Sequence, residues 1–308
     1  MAKATAKRDI AYDKITAQII TALESGIVPW KKPWNIAGGL MPQNVASKKV
    51  YNGLNVLLLG CQDHASHVWG TFKQWKEKGG MVRKGEKGTS IIFWTFFPKK
   101  INGNVVLDAK GRPEKIPFLK YYTVFNAEQI DDIELSDYMP EKVETPEFSP
   151  IEAAEKVVSE MPNRPVIEHG GSNAGYSPSL DRVRMPQKED FHGNGEYYSI
   201  LFHELGHSTG HSSRVGRDLS PTSFGSESYS KEELVAEIAA CFLCSSVGIE
   251  QTFDNSAAYL KGWLKRLKDD NKLIVRAASQ ARKASAYILN ETAKEKEVEA
   301  VKEAVKEA

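Results

Sequence analysis

The stretch that decides the fold of the second half of the chain is residues 197–207, which read YYSILFHELGH. On a helix, His203 and His207 are four residues apart and project from one face, so both imidazoles reach a single ion. Glu204 follows the first histidine and is placed to activate a water molecule as the general base of a metallohydrolase. The spacing therefore predicts a helix with two Zn²⁺ ligands and one catalytic carboxylate.

The alternative to a metal helix is an amphipathic helix with two surface histidines and an incidental glutamate. The chain contains 7 histidines, and chance places this spacing in about one in a hundred sequences of such length and composition. The apolar residues directly before His203 argue against the alternative, because they predict a buried helix whose polar end faces a cleft.

A second helix, predicted from about residue 231, carries Glu233 and Glu237, which are four residues apart and share a face. In the gluzincin class of HExxH metallopeptidases, a glutamate on such a helix is the third metal ligand. The spacing assigns Glu233 to the metal and Glu237 to the orientation of a ligand histidine, and the reverse assignment stays open. Two solvated carboxylates are the simpler interpretation, but the apolar run at 236–243 needs burial.

Other residues of this half bear on the class of peptidase. His211 lies two residues short of the third histidine of the metzincin pattern, where this chain has Ser213, so the spacing disfavours that class. His211 or Tyr229 is a candidate for stabilising an oxyanion. Residues 182–185 are the candidate edge strand that takes an extended substrate by strand addition, as in zincin-type peptidases.

Length and composition predict two soluble domains, since the 308 residues are 41% hydrophobic and supply a core for each. The three cysteines, together with the lack of a signal peptide and of an apolar run as long as a membrane span, predict a reducing, cytoplasmic compartment and no membrane partner. Residues 131–150 are acidic and contain three prolines. They are the predicted linker between domains at 1–130 and 151–308.

The net charge of +1 conceals a strong asymmetry between these halves. Residues 1–130 contain 20 Lys and Arg against 9 Asp and Glu, a net charge of +11. Residues 131–308 contain 21 against 31, a net charge of −10. The basic half has the charge of a polyanion binder, whereas the acidic half would repel one.

The basic half contains a loop in which two tryptophans flank two lysines: Trp30, Lys31, Lys32 and Trp34. Prolines at 29 and 33 exclude a regular helix there. Aromatic rings interleaved with cations are typical of sequence-tolerant single-strand binding, because bases stack on the rings while the ammonium groups follow the phosphates. The alternative is that the tryptophans pack in the core.

The remaining pattern predicts an α+β arrangement in both halves. The expected helices cover 9–25, 53–59, 69–80, where a glycine pair closes a short helix, and the residues from about Pro150. The expected strands cover 89–97, 118–125, 165–168 and 182–185, and residues 99–115 form a polar hairpin or loop.

Several segments of the basic half resemble the N-terminal single-stranded-DNA-binding domain of the ArdC antirestriction proteins, which is also found at the start of TraC-type plasmid primases. They are ALESG at 22–26 with the following PW and KPW, YNGLN at 51–55, TFKQW at 71–75, VRKGEKG at 82–88 and YTVFN at 122–126. The resemblance implies binding of single-stranded DNA with little sequence preference, in conjugative plasmid transfer. On these segments the further candidate DNA-binding residues are Tyr51, Trp75, Arg83, Lys84 and Lys87.

The strings at 203–210 and 232–237 resemble the C-terminal metallopeptidase-like domain of the same family, so the resemblance covers about residues 9–290. Two functions follow as hypotheses. In the first, the protein coats incoming plasmid DNA and protects it from restriction. In the second, DNA binding delivers a zinc-dependent peptidase, a hydrolase, to host proteins. A DNA-binding protein with a purely structural zinc site is a further alternative.

Overall fold

A computed structural model describes the backbone of residues 2–30, 41–62, 64–101, 104–108, 111–139, 150–217, 219, 227–249 and 257–291. Its helices are α1 Ala2–Glu24, α2 Leu54–Gly60, α3 Phe72–Glu77, α4 Pro150–Glu160, α5 Asn194–Ser208, α6 Glu227–Ser246, α7 Ala257–Asp269 and α8 Leu273–Ile288. Its strands are β1 Gln43–Asn44, β2 Val68–Thr71, β3 Met81–Val82, β4 Thr89–Pro98, β5 Lys100–Ile101, β6 Asn104–Val105, β7 Lys115–Asn126, β8 Ile130–Asp131, β9 Val166–His169, β10 Gly175–Ser177 and β11 Arg182–Met185. The predicted α+β class is confirmed.

The N-terminal half is organised on a four-stranded sheet of order β1-β2-β7-β4. The long strands β4 and β7 are antiparallel over ten residue pairs, from Thr89 opposite Val124 to Pro98 opposite Lys115. β-branched and aromatic residues fill both strands, and such residues favour a pleated, half-buried surface. The strand β4 is at one edge of this sheet.

The second sheet lies in the C-terminal half and has the order β10-β11-β9. Strand β11 pairs antiparallel with β10 and parallel with β9, so both of its edges are hydrogen-bonded. The prediction that residues 182–185 form the edge strand is therefore wrong, because a strand paired on both sides has no backbone groups left for an extended substrate.

The two halves of the chain share one hydrophobic core. On α1, Ile15, Ile19 and Leu23 recur at helical spacing, are buried, and belong to the same cluster as side chains of α2, α6, α7 and α8. A second core packs α4, α5 and β11 against the later part of α6 and the end of α8. Helix α6 therefore contributes to both cores and connects them.

The start of the predicted linker is folded against the N-terminal half. The ring of Tyr138 lies edge-on to that of Trp75, with centroids 5.3 Å apart, and Ser66 Oγ donates to the carbonyl of Tyr138 at 2.6 Å. Residues 140–149 lie outside the described residues. The division at 131–150 into two domains stays a prediction.

Candidate metal centre and nucleic-acid interface

The close approach of α5 and α6 brings the predicted metal ligands together. Gly206 on α5 faces Ala236 on α6, and a Cβ atom at Gly206 would lie 3.3 Å from the Ala236 Cα. Ala239 also faces Gly206 across the crossing. Such small residues allow two helix backbones to pack at short distance, which places the His207 side chain opposite Glu233.

The side chains of His203, His207 and Glu233 form a compact cluster at this crossing, with one donor atom from each within 4.8 Å of the others. The two Nε2 atoms are 3.0 Å apart. Glu233 Oε2 lies 3.5 Å from His203 Nε2, and Oε1 lies 3.4 Å from His207 Nε2. The two imidazoles and the carboxylate therefore face one another closely enough to share one ion.

This donor set fits a tetrahedral divalent cation. Ligand atoms about 2.0–2.2 Å from such an ion lie about 3.3–3.6 Å from one another. The separations of 3.4 Å and 3.5 Å, which involve different oxygens of Glu233, fall in this range, and the 3.0 Å between the two Nε2 atoms is slightly shorter. Two imidazoles and one carboxylate leave the fourth position of the ion for water or substrate, as in catalytic zinc sites.

Glu204 is 8% exposed and is adjacent in sequence to His203. Burial alone would lower the pKa of His207, but the carboxylates of Glu232, Glu233 and Glu204 outweigh it and raise that pKa above its ordinary value. The same carboxylates attract a cation to this site.

Glu232 and Arg217 complete the surroundings of His207, and neither was predicted from the sequence to lie there. Glu232 Oε1 lies 3.4 Å from His207 Nδ1, the ring nitrogen that faces away from the cluster. Arg217 donates to both carboxylate oxygens of Glu232, at 2.6 Å and 3.0 Å. Although burial raises the pKa of Glu232, its bonds to His207 and Arg217 lower it below the ordinary value. A charged Glu232 thus orients this imidazole.

Glu237, the predicted orienting residue, has a different set of described hydrogen bonds. Its Oε2 accepts from Trp30 Nε1 at 2.8 Å and from the hydroxyl of Tyr259, and Trp30 Nε1 also lies 3.0 Å from that hydroxyl. Burial raises the pKa of Glu237, while both donors act in the opposite direction. One turn after Glu233, α6 is therefore tied to a tryptophan of the N-terminal half.

The structure corrects two of the predicted DNA-binding residues. Trp30 and Trp75 each have 0% exposure. The indole of Trp30 donates to Glu237, and that of Trp75 donates to the carbonyl of Phe125 at 2.9 Å. Neither ring has a free face on which a base can stack. The core alternative therefore holds for Trp30, and Trp75, which was predicted only to bind DNA, is also a core residue.

The other DNA-binding candidates differ in how accessible their charges are. Arg83 is neutralised by Asp131, at 3.2 Å, and by Glu86, at 3.3 Å. Lys84 and Lys87 are exposed on the turn after β3. Tyr51 is half-buried, and Asn44 Nδ2 donates to its hydroxyl at 2.9 Å. Lys31, Lys32 and Trp34 lie outside the described residues.

The two oxyanion candidates are not brought to the cluster by any described contact. The His211 ring bonds to Ser213 Oγ at 2.8 Å and lies 4.0 Å from Asp181. The side chain of Tyr229 lies outside the described residues.

An HExxH helix completed by a glutamate from the following helix defines a zincin-like metal centre, and residues 152–280 match the family described as a zincin-like metallopeptidase. Residues 9–125 match the family described as the N-terminal domain of anti-restriction factor ArdC.

The chain belongs to the ArdC antirestriction family, which confirms the resemblance of its segments. It is 37% identical to the crystal structure of the antirestriction ArdC protein from the R388 plasmid in its metal-free form, with a TM-score of 0.71 over 92% of this chain and 98% of that one. To the Mn(II)-bound structure of the same protein it is 36% identical, with a TM-score of 0.68 over 91% and 97%.

The curated relatives include much longer proteins. Two DNA primases TraC of Escherichia coli are 39% and 37% identical over 90% of this chain, which spans only 27% and 20% of their lengths. The uncharacterized protein y4eC of Sinorhizobium fredii (strain NBRC 101917 / NGR234) is 36% identical over 90% of this chain and 91% of its own length.

Two further properties of this chain concern its metal ion and its helices. A zincin-like domain implies a divalent metal ion, and its relative from R388 is known with Mn(II) bound. Within the part of the chain that the structure describes, every helix is too short or too polar to cross a bilayer.

Proposed function

We propose that this protein is an antirestriction protein of a conjugative plasmid that binds single-stranded DNA largely without sequence preference and carries a zinc-dependent metallopeptidase-like centre. The observation that carries the proposal is the convergence of His203, His207 and Glu233 beside Glu204 on α5 and α6, and α6 also packs against the N-terminal half. Membership in the ArdC family supplies the antirestriction role.

His203, His207 and Glu233 would hold the zinc ion. A donor set of two imidazoles and one carboxylate favours zinc over magnesium or calcium, which prefer six or more oxygen ligands. When bound, the ion supplies Lewis-acid chemistry, polarising a carbonyl group and making a neighbouring water molecule more acidic.

Glu204 is the residue that takes the proton of the attacking water. It follows His203 directly on α5 and is almost fully buried, so its carboxylate is held in place and shielded from bulk solvent. Glu232 keeps the imidazole of His207 in one orientation, and Arg217 in turn fixes Glu232. These groups form the protein's own contribution to peptide hydrolysis.

Single-stranded DNA is the proposed partner of the basic half. The net charge of +11 over residues 1–130 favours a polyanion, and the primase relatives act on nucleic acid by name. Exposed lysines such as Lys84 and Lys87 supply contacts to phosphate without reading sequence. Cleavage of host proteins near the DNA is the alternative main role, and zinc with a structural role only is a second one.

The metal assignment is tested by zinc content. We expect Glu233→Ala to lose zinc, whereas Glu204→Ala, which removes a base and no ligand, keeps it. Glu160→Ala, at an exposed carboxylate of α4, is the matched control. Equal zinc content in wild type and Glu233→Ala, measured by elemental analysis after dialysis, would place the ligand elsewhere.

The role of proteolysis is tested with Glu204→Ala in two assays, protection of transferred DNA from restriction and cleavage of candidate host proteins. If the variant protects DNA as well as wild type does, the peptidase chemistry is dispensable for antirestriction. If protection is lost while zinc content and DNA affinity are unchanged, the catalytic hypothesis is favoured.

A further inference from the structure

A groove of about 770 Å³ lies between the edge of the N-terminal sheet and helix α8 of the C-terminal half. Its lining includes β4 and β7 on one side and Val275, Ser279, Arg282 and Lys283 of α8 on the other. Backbone groups of β4 at Ile92 are satisfied by the side chain of Asn55, at 2.7 Å and 2.8 Å. This part of the strand edge is closed to another strand, so the groove suits a ligand recognised by side chains.

Two aromatic rings are exposed in the groove. Phe93 on β4 and Tyr122 on β7 are 54% and 42% exposed, and their ring centroids are 6.4 Å apart. Tyr122 pairs with Ile91, so the two rings are diagonal neighbours on the same face of the sheet. Exposed rings on adjacent strands provide the stacking surface that unpaired bases use.

All the charged residues among the described lining of the groove are basic. Lys49, Arg282 and Lys283 line it, and no aspartate or glutamate does. Arg282 forms an ion pair with Glu291 at 2.6 Å, but about a third of its side chain remains exposed. A second cavity, of about 540 Å³, also contains Lys283 and is lined by Arg217, Lys231 and Arg276 as well as Glu232. Charge complementarity therefore favours a polyanion.

Helix α8 is held firmly enough to act as a wall of the groove. Its alanines at 277, 278, 281 and 284 are buried in the core that the two halves share. On the opposite side, Arg276, Ser279 and Lys283 are exposed at spacings of three and four residues, which places them in one stripe. The buried face fixes the position of the cations on the exposed face.

We infer that single-stranded DNA occupies this groove, with bases stacked on Phe93 and Tyr122 and phosphates on Lys49, Arg282 and Lys283. Helix α8 of the metallopeptidase-like half thus supplies part of the nucleic-acid interface. A duplex is excluded as the preferred ligand because its base faces are already stacked on one another. The inference rests on the proposed single-strand binding and gives it a location.

The test measures binding of a fluorescent oligothymidylate to the full-length chain by anisotropy. Each of Phe93→Ala and Tyr122→Ala is expected to weaken affinity about five- to a hundred-fold, the usual effect of removing one stacking ring. Tyr121→Ala is the matched control, because Tyr121 is equally exposed on the neighbouring position of β7 but points to the other face of the sheet.

The cationic wall is tested through salt dependence. Lys283→Ala should reduce the slope of log affinity against log salt by about 0.7, the value for one phosphate contact on a single strand. Lys265→Ala, at an exposed lysine of α7, should leave the slope unchanged. Because these side chains are at the surface, circular dichroism of all variants should match that of wild type.

Two negative outcomes are distinguishable. If wild type binds the oligonucleotide and the three groove variants bind it with wild-type affinity and slope, the groove is not the interface, although single-strand binding stands. If wild type binds no single-stranded DNA at all, the proposed function itself fails, and the inference fails with it.

Discussion

The hydrogen bond between Trp30 and Glu237 leads to a quantitative prediction for the free energy of unfolding. Trp30→Phe keeps an aromatic ring in the site but removes the indole N–H that donates to the Glu237 carboxylate at 2.8 Å. A hydrogen bond to a charged group contributes about 1.5–3 kcal/mol to stability, and the smaller ring leaves a partly filled space. We expect Trp30→Phe to lower the free energy of unfolding by about 2–4 kcal/mol.

Trp75→Phe is the matched control for this loss. Trp75 is as fully buried as Trp30, and its indole N–H donates to a neutral acceptor, the carbonyl of Phe125, at 2.9 Å. A bond between neutral groups contributes about 0.5–1.5 kcal/mol, while the loss of ring volume is the same. The destabilisation by Trp30→Phe should therefore exceed that by Trp75→Phe by about 1–2 kcal/mol.

The difference between the two variants should depend on pH. Burial raises the pKa of Glu237, and the Trp30 indole opposes the rise, so Trp30→Phe raises that pKa further. A carboxyl group whose pKa is higher in the folded than in the unfolded state contributes stability below the unfolded pKa and loses it as pH rises through the folded pKa. The extra loss in Trp30→Phe should thus grow as pH rises above the ordinary carboxyl pKa.

The measurement is urea unfolding of the metal-free proteins, followed by far-UV circular dichroism at several pH values, with slopes compared to establish that the unfolded states are alike. Equal destabilisation by the two variants at every pH would refute the conclusion that the indole stabilises the ionised form of the buried Glu237 carboxyl group.

Three further predictions concern α5, its neighbours and α4. Gly206→Ala should lower the free energy of unfolding by about 1–3 kcal/mol, because the added methyl group pushes α5 away from Ala236 on α6. It should also weaken metal binding in a chelator competition, and an unchanged metal affinity would contradict the role of the close helix crossing. Arg217→Ala leaves Glu232 partly buried without its guanidinium and should cost about 3–5 kcal/mol in urea unfolding; a loss below that of an exposed Arg→Ala control would show that the pair contributes nothing. Hydrogen bonds from the Tyr198 hydroxyl and from Lys188 lower the pKa of Glu155. This carboxylate therefore contributes stability above its unfolded pKa, and the contribution is lost as pH falls through the folded pKa. Glu155→Gln should therefore flatten the decline of stability between about pH 6 and about pH 3, and an unaltered pH profile would count against it.

The clustering of His203, His207 and Glu233 was predictable from the sequence, because it depends on helical periodicity. The spacing of His203 and His207 places both on one face of a helix, and the same rule brings Glu233 to the facing side of α6. The long strands β4 and β7 were expected from their β-branched and aromatic residues, and the structure has both.

Features that depend on contacts between distant segments were not predictable. Trp30 stands beside lysines in the sequence and is typical of a stacking residue, yet its partner Glu237 is 207 residues away. Glu232 is a charged residue of the kind that is usually exposed to solvent. It lies beside His207 only because α5 and α6 cross. The central position of β11 in its sheet likewise depends on its pairing with two other strands. The residue pattern of one strand does not predict such pairing.

The shared core has a consequence for how such proteins are inherited. Recombination that moved one half to a new gene would expose the apolar face of α1 to solvent. It would also remove the hydrogen bond between the indole of Trp30 and the carboxylate of Glu237. A transferred half would start with a folding defect, whereas the pair would arrive folded. The Escherichia coli primases, whose similarity extends over 90% of this chain, contain counterparts of both halves, which agrees with this expectation.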